Sequence, residues 1–156
     1  MVINANANRT PGASRVSAEP LYFLSGGRAL FGWLHRPARP VTSGLGLVIC
    51  KPFGFEALCS HRTVRVLAES VADLGMPVLR FDYVGTGDSA ELEPSAEQIH
   101  AWVADIVAAI TELQRRTGVN RVCLVGFRLG AMLATLAVKQ CDQIGGLVLC
   151  APVVSG

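Results

Sequence analysis

The spacing of hydrophobic positions changes several times along the chain, and each change predicts an element. Residues 1–19 are Asn, Ala, Ser, Arg and Pro without any period, which predicts a disordered leader. Apolar runs at 21–24 and 29–35 flank Ser25-Gly26-Gly27, a hairpin signal with glycines to accept positive φ. A Pro-rich loop follows to Gly44, and residues 45–50 form a short, continuous apolar strand of the kind buried on both faces. Lys51-Pro52-Phe53-Gly54-Phe55-Glu56 reads as an irregular loop. Ser60 then reads as the N-cap of a helix running to Leu74, with Val64, Leu67, Val71 and Leu74 on one face. Gly75 and Pro77 end that helix, and residues 78–83 form a third apolar strand.

Ser95-Ala96-Glu97-Gln98 has the form of a capping box. Behind it Ile99, Trp102, Val103, Ile106, Val107, Ile110 and Leu113 fill nearly every slot of a 3.6-residue stripe, until Gly118 closes the helix. Val122-Cys123-Leu124-Val125 is a branched, buried strand that breaks at Gly126-Phe127-Arg128-Leu129-Gly130 into a helix from Gly130 to about Gln140. A last strand over 146–151 is ended by Pro152. An antiparallel pair followed by alternating strands and helices predicts an α/β fold: a three-layer, doubly wound, mostly parallel sheet with an N-terminal antiparallel hairpin. The domain is expected over 20–156. Its last strand lacks a covering helix, so the expectation is the N-terminal part of a larger fold, able to self-associate through that strand.

Composition narrows the function. Of 156 residues, 51% are hydrophobic and 17% charged, which suits strands covered on both sides. No apolar run approaches the roughly 18 residues of a membrane span. The net charge of +2 is small and its basic residues are scattered, which argues against a nucleic-acid partner. The five cysteines form no Cys-x-x-Cys pair, so neither a zinc site nor a disulfide framework is expected. Buried, reduced thiols in a cytoplasmic protein are the reading. Gly85-Thr86-Gly87 follows a middle strand, and Glu91, Glu93 and Pro94 separate it from the next helix. It is read as a turn and not as a dinucleotide site, and no cofactor or metal is expected. His35, His61 and His100 are assigned surface or capping roles, and Trp102 a core role.

Three stretches carry a family resemblance over about residues 20–156. The first is the loop after Cys50. The second is Asp82-Tyr83-Val84-Gly85-Thr86-Gly87-Asp88-Ser89, which looks like an Asp-x-x-Gly-x-Gly-x-Ser turn. The third is Gly126-Phe127-Arg128-Leu129-Gly130, which has the layout of the nucleophile elbow, Gly-x-Ser-x-Gly. Together they resemble the α/β-hydrolase superfamily, closest to the serine-aminopeptidase-like hydrolases and their exosortase- and exopolysaccharide-associated subgroup. The resemblance implies cleavage of ester, thioester or amide acyl groups by a serine nucleophile, with acid and histidine on loops after later strands. It puts the elbow glycines at Gly126 and Gly130, and oxyanion N–H donors at Leu129 and Phe53. It makes Asp82, Gly85, Gly87 and Ser89 structural turn residues. The nucleophile position falls on Arg128, which cannot attack a carbonyl because its guanidinium stays protonated. Two outcomes are therefore expected: a hydrolase scaffold inactive as it stands, or a non-catalytic binding or scaffold protein. In the second, an unpaired Arg128 beside a helix N-terminus would hold a small acyl or anionic ligand.

Overall fold

The computed structural model describes residues 16–39, 44–93, 95 and 97–152. The order is β1 (Ser17–Ser25), β2 (Arg28–Arg36), β3 (Leu45–Cys50), α1 (Phe55–Asp73), β4 (Val78–Phe81), α2 (Gln98–Thr117), β5 (Arg121–Phe127), α3 (Leu129–Val138) and β6 (Ile144–Cys150). All six strands form one sheet in the order β1-β2-β4-β3-β5-β6. β1 and β2 pair antiparallel through the turn at Gly26 and Gly27, β2 meets β4 antiparallel, and β4, β3, β5 and β6 run parallel. The expected α/β architecture is what forms.

The winding direction reverses at β3. The chain crosses from β3 to β4 through α1, then back over β3 to β5 through α2. Right-handed crossovers in opposite directions put their helices on opposite faces. Two cores follow. Val48, Leu79 and Leu124 pack with Ile106, Ile110 and Leu113 on the α2–α3 face, whereas Leu47, Ile49 and Val78 pack with Val64, Ala68 and Ala72 under α1. Alternate residues of β3 thus serve opposite layers, which is why its sequence reads as one unbroken apolar run. The reversal also gathers the loops after β3, β4 and β5 at one end of the sheet, where open α/β sheets bind ligands.

Several boundaries differ from the sequence reading. Val16 packs against the core under α1 and Ser17–Glu19 belong to β1, not to a leader; residues 1–15 lie outside the described residues. α1 starts at Phe55, five residues before the expected cap, because Gly54 (φ 62°) turns the chain directly into the helix. Ser60 lies inside it, its hydroxyl bonded back to the Ala57 carbonyl at 3.3 Å. The buried face of α1 is Val64, Ala68 and Ala72, with Leu67 and Val71 packed beside it as expected, and Leu74 is 78% exposed at the C-cap. Small alanines let the helix sit close to β3 and β4, and the large residues alone leave them out of the stripe. The capping box does not form: Glu97 is the N-cap of α2 and makes no side-chain cap bond. β6 is the edge strand, and Leu147, Val148 and Leu149 are exposed on it. No helix among the described residues is long and apolar enough to cross a membrane.

Candidate functional site

At the end of β5 the backbone turns in one residue. Arg128 holds φ 55° and ψ −116°, a strained conformation for a residue with a side chain, and α3 begins at Leu129. The turn is this tight because its flanks lack Cβ atoms. A Cβ on Gly126 would stand 2.4 Å from the Cα of Ala131, and one on Gly130 would stand 2.2 Å from the Cys50 carbonyl oxygen. β5, α3 and the end of β3 therefore touch backbone to backbone. The Arg128 N–H donates to the Cys150 carbonyl at 3.0 Å, tying the apex to β6.

The side chain at the apex has a partner, which corrects the expectation of an unpaired arginine. Arg128 Nε donates to Glu56 Oε1 at 3.0 Å. Glu56 lies in the first turn of α1, so its carboxylate sits near the positive ends of two helices as well as the guanidinium. Both side chains are about half exposed, which makes this a surface ion pair. The anion that Arg128 was expected to recruit from solution is supplied by the chain. The Leu129 N–H is the first of α3 and has no acceptor within the helix. Phe53 lies on the loop after β3, with its ring 4.9 Å from that of Trp102.

The turn after β4 is held by Asp82. One carboxylate oxygen accepts from the Asp88 N–H at 3.1 Å and the other pairs with Lys51 Nζ. The Asp82 carbonyl accepts from Ser89 Oγ at 2.6 Å, and that hydroxyl accepts from the Phe31 N–H at 2.9 Å. Gly87 (φ 54°) is packed on the carboxylate itself: a Cβ there would stand 2.2 Å from Asp82 Oδ2. Gly85 (φ 78°) donates its N–H to the Ala90 carbonyl at 2.7 Å. Lys51 was missed by sequence reasoning. Its signal was a lone cation at the C-terminal end of a buried strand, beside the strand that ends at Asp82.

Trp102 is buried, donating from Nε1 to the Val84 carbonyl at 2.9 Å, while the Val84 N–H donates to Asp105 Oδ2 at 2.8 Å. Burial pushes the Asp105 carboxyl above its usual value, against the pull of its hydrogen bonds to Ser25 and Val84. His35 is fully buried, not at the surface as expected. Arg80 Nε donates to His35 Nε2 at 3.0 Å. Burial, then the nearby Arg80 and Arg65 charges, depress the imidazole to about 4. His61 is exposed on α1, and His100 lies 3.3 Å from Glu97 on α2. The five cysteines are unpaired but not uniformly buried: Cys50 is enclosed, its thiol pushed up to about 12 by burial, whereas Cys59 is exposed.

A cleft of about 720 Å³ opens between the loop after β3, the first turns of α1, and strands β2 and β4. Phe31, Trp33, Leu58, His61 and Arg80 line it, with the Asp82 turn at one end. Arg128 is not among its lining residues. Among the described residues no cluster of His, Cys, Asp and Glu could hold a metal ion.

Comparison with known proteins agrees with this architecture. A structure of a hypothetical protein from Pseudomonas aeruginosa superposes with a TM-score of 0.77 at 22% identity, covering 92% of this chain and 45% of that one. A proline iminopeptidase from Mycobacterium smegmatis gives 0.71 at 23% identity, covering 88% and 45%. An esterase from Pyrococcus furiosus gives 0.70 at 19% identity, covering 88% and 51%. The human protein ABHD12B is 35% identical over 86 residues, which is 55% of this chain and 22% of that protein. The chain thus spans about half the length of these solved structures and less of the human relative. Residues 58–156, from α1 through the elbow to the last strand, match the model of the serine aminopeptidase S33 family. With the fold and that match together, the chain belongs to the serine aminopeptidase S33 family of α/β hydrolases.

Proposed function

We propose that this chain carries the framework of an acyl hydrolase with the serine-type step disabled. One observation supports the reading: Arg128 stands at the apex of the elbow, paired with Glu56. Attack on an acyl carbon needs a lone pair that a neighbouring base can free. A guanidinium has five N–H donors, no acceptor, and stays protonated. The proposed oxyanion donors, the N–H groups of Leu129 and Phe53, would survive, and so would the elbow glycines and the Asp82 turn. The parent chemistry is hydrolysis of ester, thioester or amide acyl groups, in keeping with the esterase and the proline iminopeptidase that share the fold. The elbow serves instead as a closed strut between α1 and α3. A non-catalytic scaffold role follows for this part of the molecule. The proposed setting is the cytoplasm, supported by five cysteines of which none forms a disulfide.

The test is hydrolysis of short-chain nitrophenyl esters by the whole natural protein beside its Arg128→Ser variant. The parent is expected to run at the rate of buffer. Activity that appears only in the serine variant would show a lost nucleophile in an otherwise intact site. Serine-type turnover by the parent would overturn the reading.

A further inference from the structure

The elbow arginine is neutralised within the chain, whereas a second, buried arginine makes no ion pair among the described residues. Arg80 projects from β4 into the cleft on the α1 face and is 7% exposed. Its only hydrogen bond among the described residues runs from Nε to His35 Nε2, and it makes no ion pair there. The imidazole is held neutral, so it contributes an acceptor but no charge. The acids nearby are engaged elsewhere: Asp82 with Lys51 and the Asp88 N–H, and Glu69 with Arg65 at 3.2 Å. Asp88 is exposed at the rim of the cleft. Burial and the Arg65 charge pull the Arg80 pKa below its ordinary value, against the smaller opposing influence of Asp82 and Glu69. A guanidinium is effectively always protonated, so a positive charge is enclosed here without an ion-pair partner among the described residues.

We infer that the cleft beside α1 binds an organic monocarboxylate, its head on the Arg80 guanidinium and its apolar body on Trp33, Phe31 and Leu58. The head follows from geometry: with Nε occupied, the terminal N–H groups of a planar guanidinium remain to meet a carboxylate. Trp33 lies 5.4 Å from the guanidinium carbon and holds its plane from one side. One cation calls for one negative charge, which favours a carboxylate over a phosphate dianion. The body follows from the walls. Phe31 and Trp33 stand edge to face on β2, and Leu58 projects from α1 with 76% of its surface exposed. A volume of about 720 Å³ is within the range of small-molecule sites. Because Arg128 does not line the cleft, this inference stands or falls separately from the proposal about the elbow.

The experiment is calorimetric titration of the whole natural protein with 4-phenylbutyrate, its neutral amide and inorganic phosphate, with Trp fluorescence followed in parallel. The acid is expected to bind saturably and to perturb Trp33. The amide and phosphate should each bind at least about tenfold more weakly, the loss of one charge-assisted contact. Arg80→Met should weaken the acid by a similar factor. Should Arg80→Met fail to fold, Leu58→Glu puts a repelling charge at the mouth from an exposed position and should weaken the acid by more than Leu58→Lys, which removes the same apolar contact without the repulsion. Absence of saturable binding, equal affinity for the amide, tighter binding of phosphate, or indifference to Leu58→Glu would each overturn the inference.

Discussion

His35 offers a quantitative test of how the α1 face is held together. Its Nε2 accepts from Arg80 Nε, so the neutral ring carries its proton on Nδ1. Nδ1 is buried with no hydrogen-bond partner among the described residues. Protonation would add a charge to a site already facing Arg80 and Arg65, and would remove the acceptor that Arg80 uses. The imidazole therefore titrates at about 4 in the folded protein, against 6.5 when unfolded. A depressed folded pKa means that the unfolded chain takes up the proton first as pH falls. Stability is thus fully present above pH 6.5 and is lost between there and about pH 4. At about 1.4 kcal/mol per pH unit, the total is roughly 3 kcal/mol. The perturbation is His35→Gln, whose amide oxygen can accept from Arg80 but does not titrate. Urea unfolding followed by far-UV circular dichroism at several pH values from 7.5 to 4.5 gives the difference curve. The parent should lose stability relative to the variant by more than about 1.5 kcal/mol over that span. Parallel curves within about 0.5 kcal/mol would refute the reasoning.

Three further outcomes follow from the same contacts. Gly130→Ala drives a Cβ into the Cys50 carbonyl, so it should cost more than about 3 kcal/mol and abolish a cooperative thermal transition, where an exposed control such as Leu74→Ala stays within about 1 kcal/mol. Asp105→Asn keeps an acceptor for the Val84 N–H without the buried charge. Because burial raises the folded Asp105 pKa, the parent loses stability as pH rises from 3.8 through that raised value, and the variant should gain on it over this interval in thermal melts; identical profiles would contradict the assignment. β6 is a paired edge on one side only, with Leu147, Val148 and Leu149 exposed, so residues 1–156 should associate in light scattering, and Leu149→Lys should reduce the associated fraction.

The strands were legible because burial on both faces writes itself as unbroken apolar runs, as in Leu45–Cys50. The doubly wound class was legible from the alternation of strands and helices, but the place of the reversal, at β3, was not. Helix starts were less legible. Gly54, not a polar side chain, admits the chain into α1, and the box expected of Ser95 and Gln98 gives way at α2 to an N-cap at Glu97 with no side-chain bond. Of the expected α1 stripe, Val64, Leu67 and Val71 do face the core and Leu74 does not, while Ala68 and Ala72 were overlooked because small side chains carry little hydrophobic signal. At the site, Gly126, Arg128 and Gly130 were legible from local steric need. Their partners were not. Glu56 meets Arg128 across 72 positions, and Arg80 meets His35 across 45. Such pairings depend on which loops the sheet order brings to one end, and no local pattern encodes them.

The elbow, as proposed, is built but has no nucleophile. The most direct measurement is to treat the whole natural protein with an excess of a fluorophosphonate probe and map any adduct by peptide mass spectrometry. No covalent adduct is expected on any serine of this chain, and none at position 128. A stoichiometric adduct on a serine within residues 16–152 would mean that another residue holds the nucleophile's place, and would contradict the proposal.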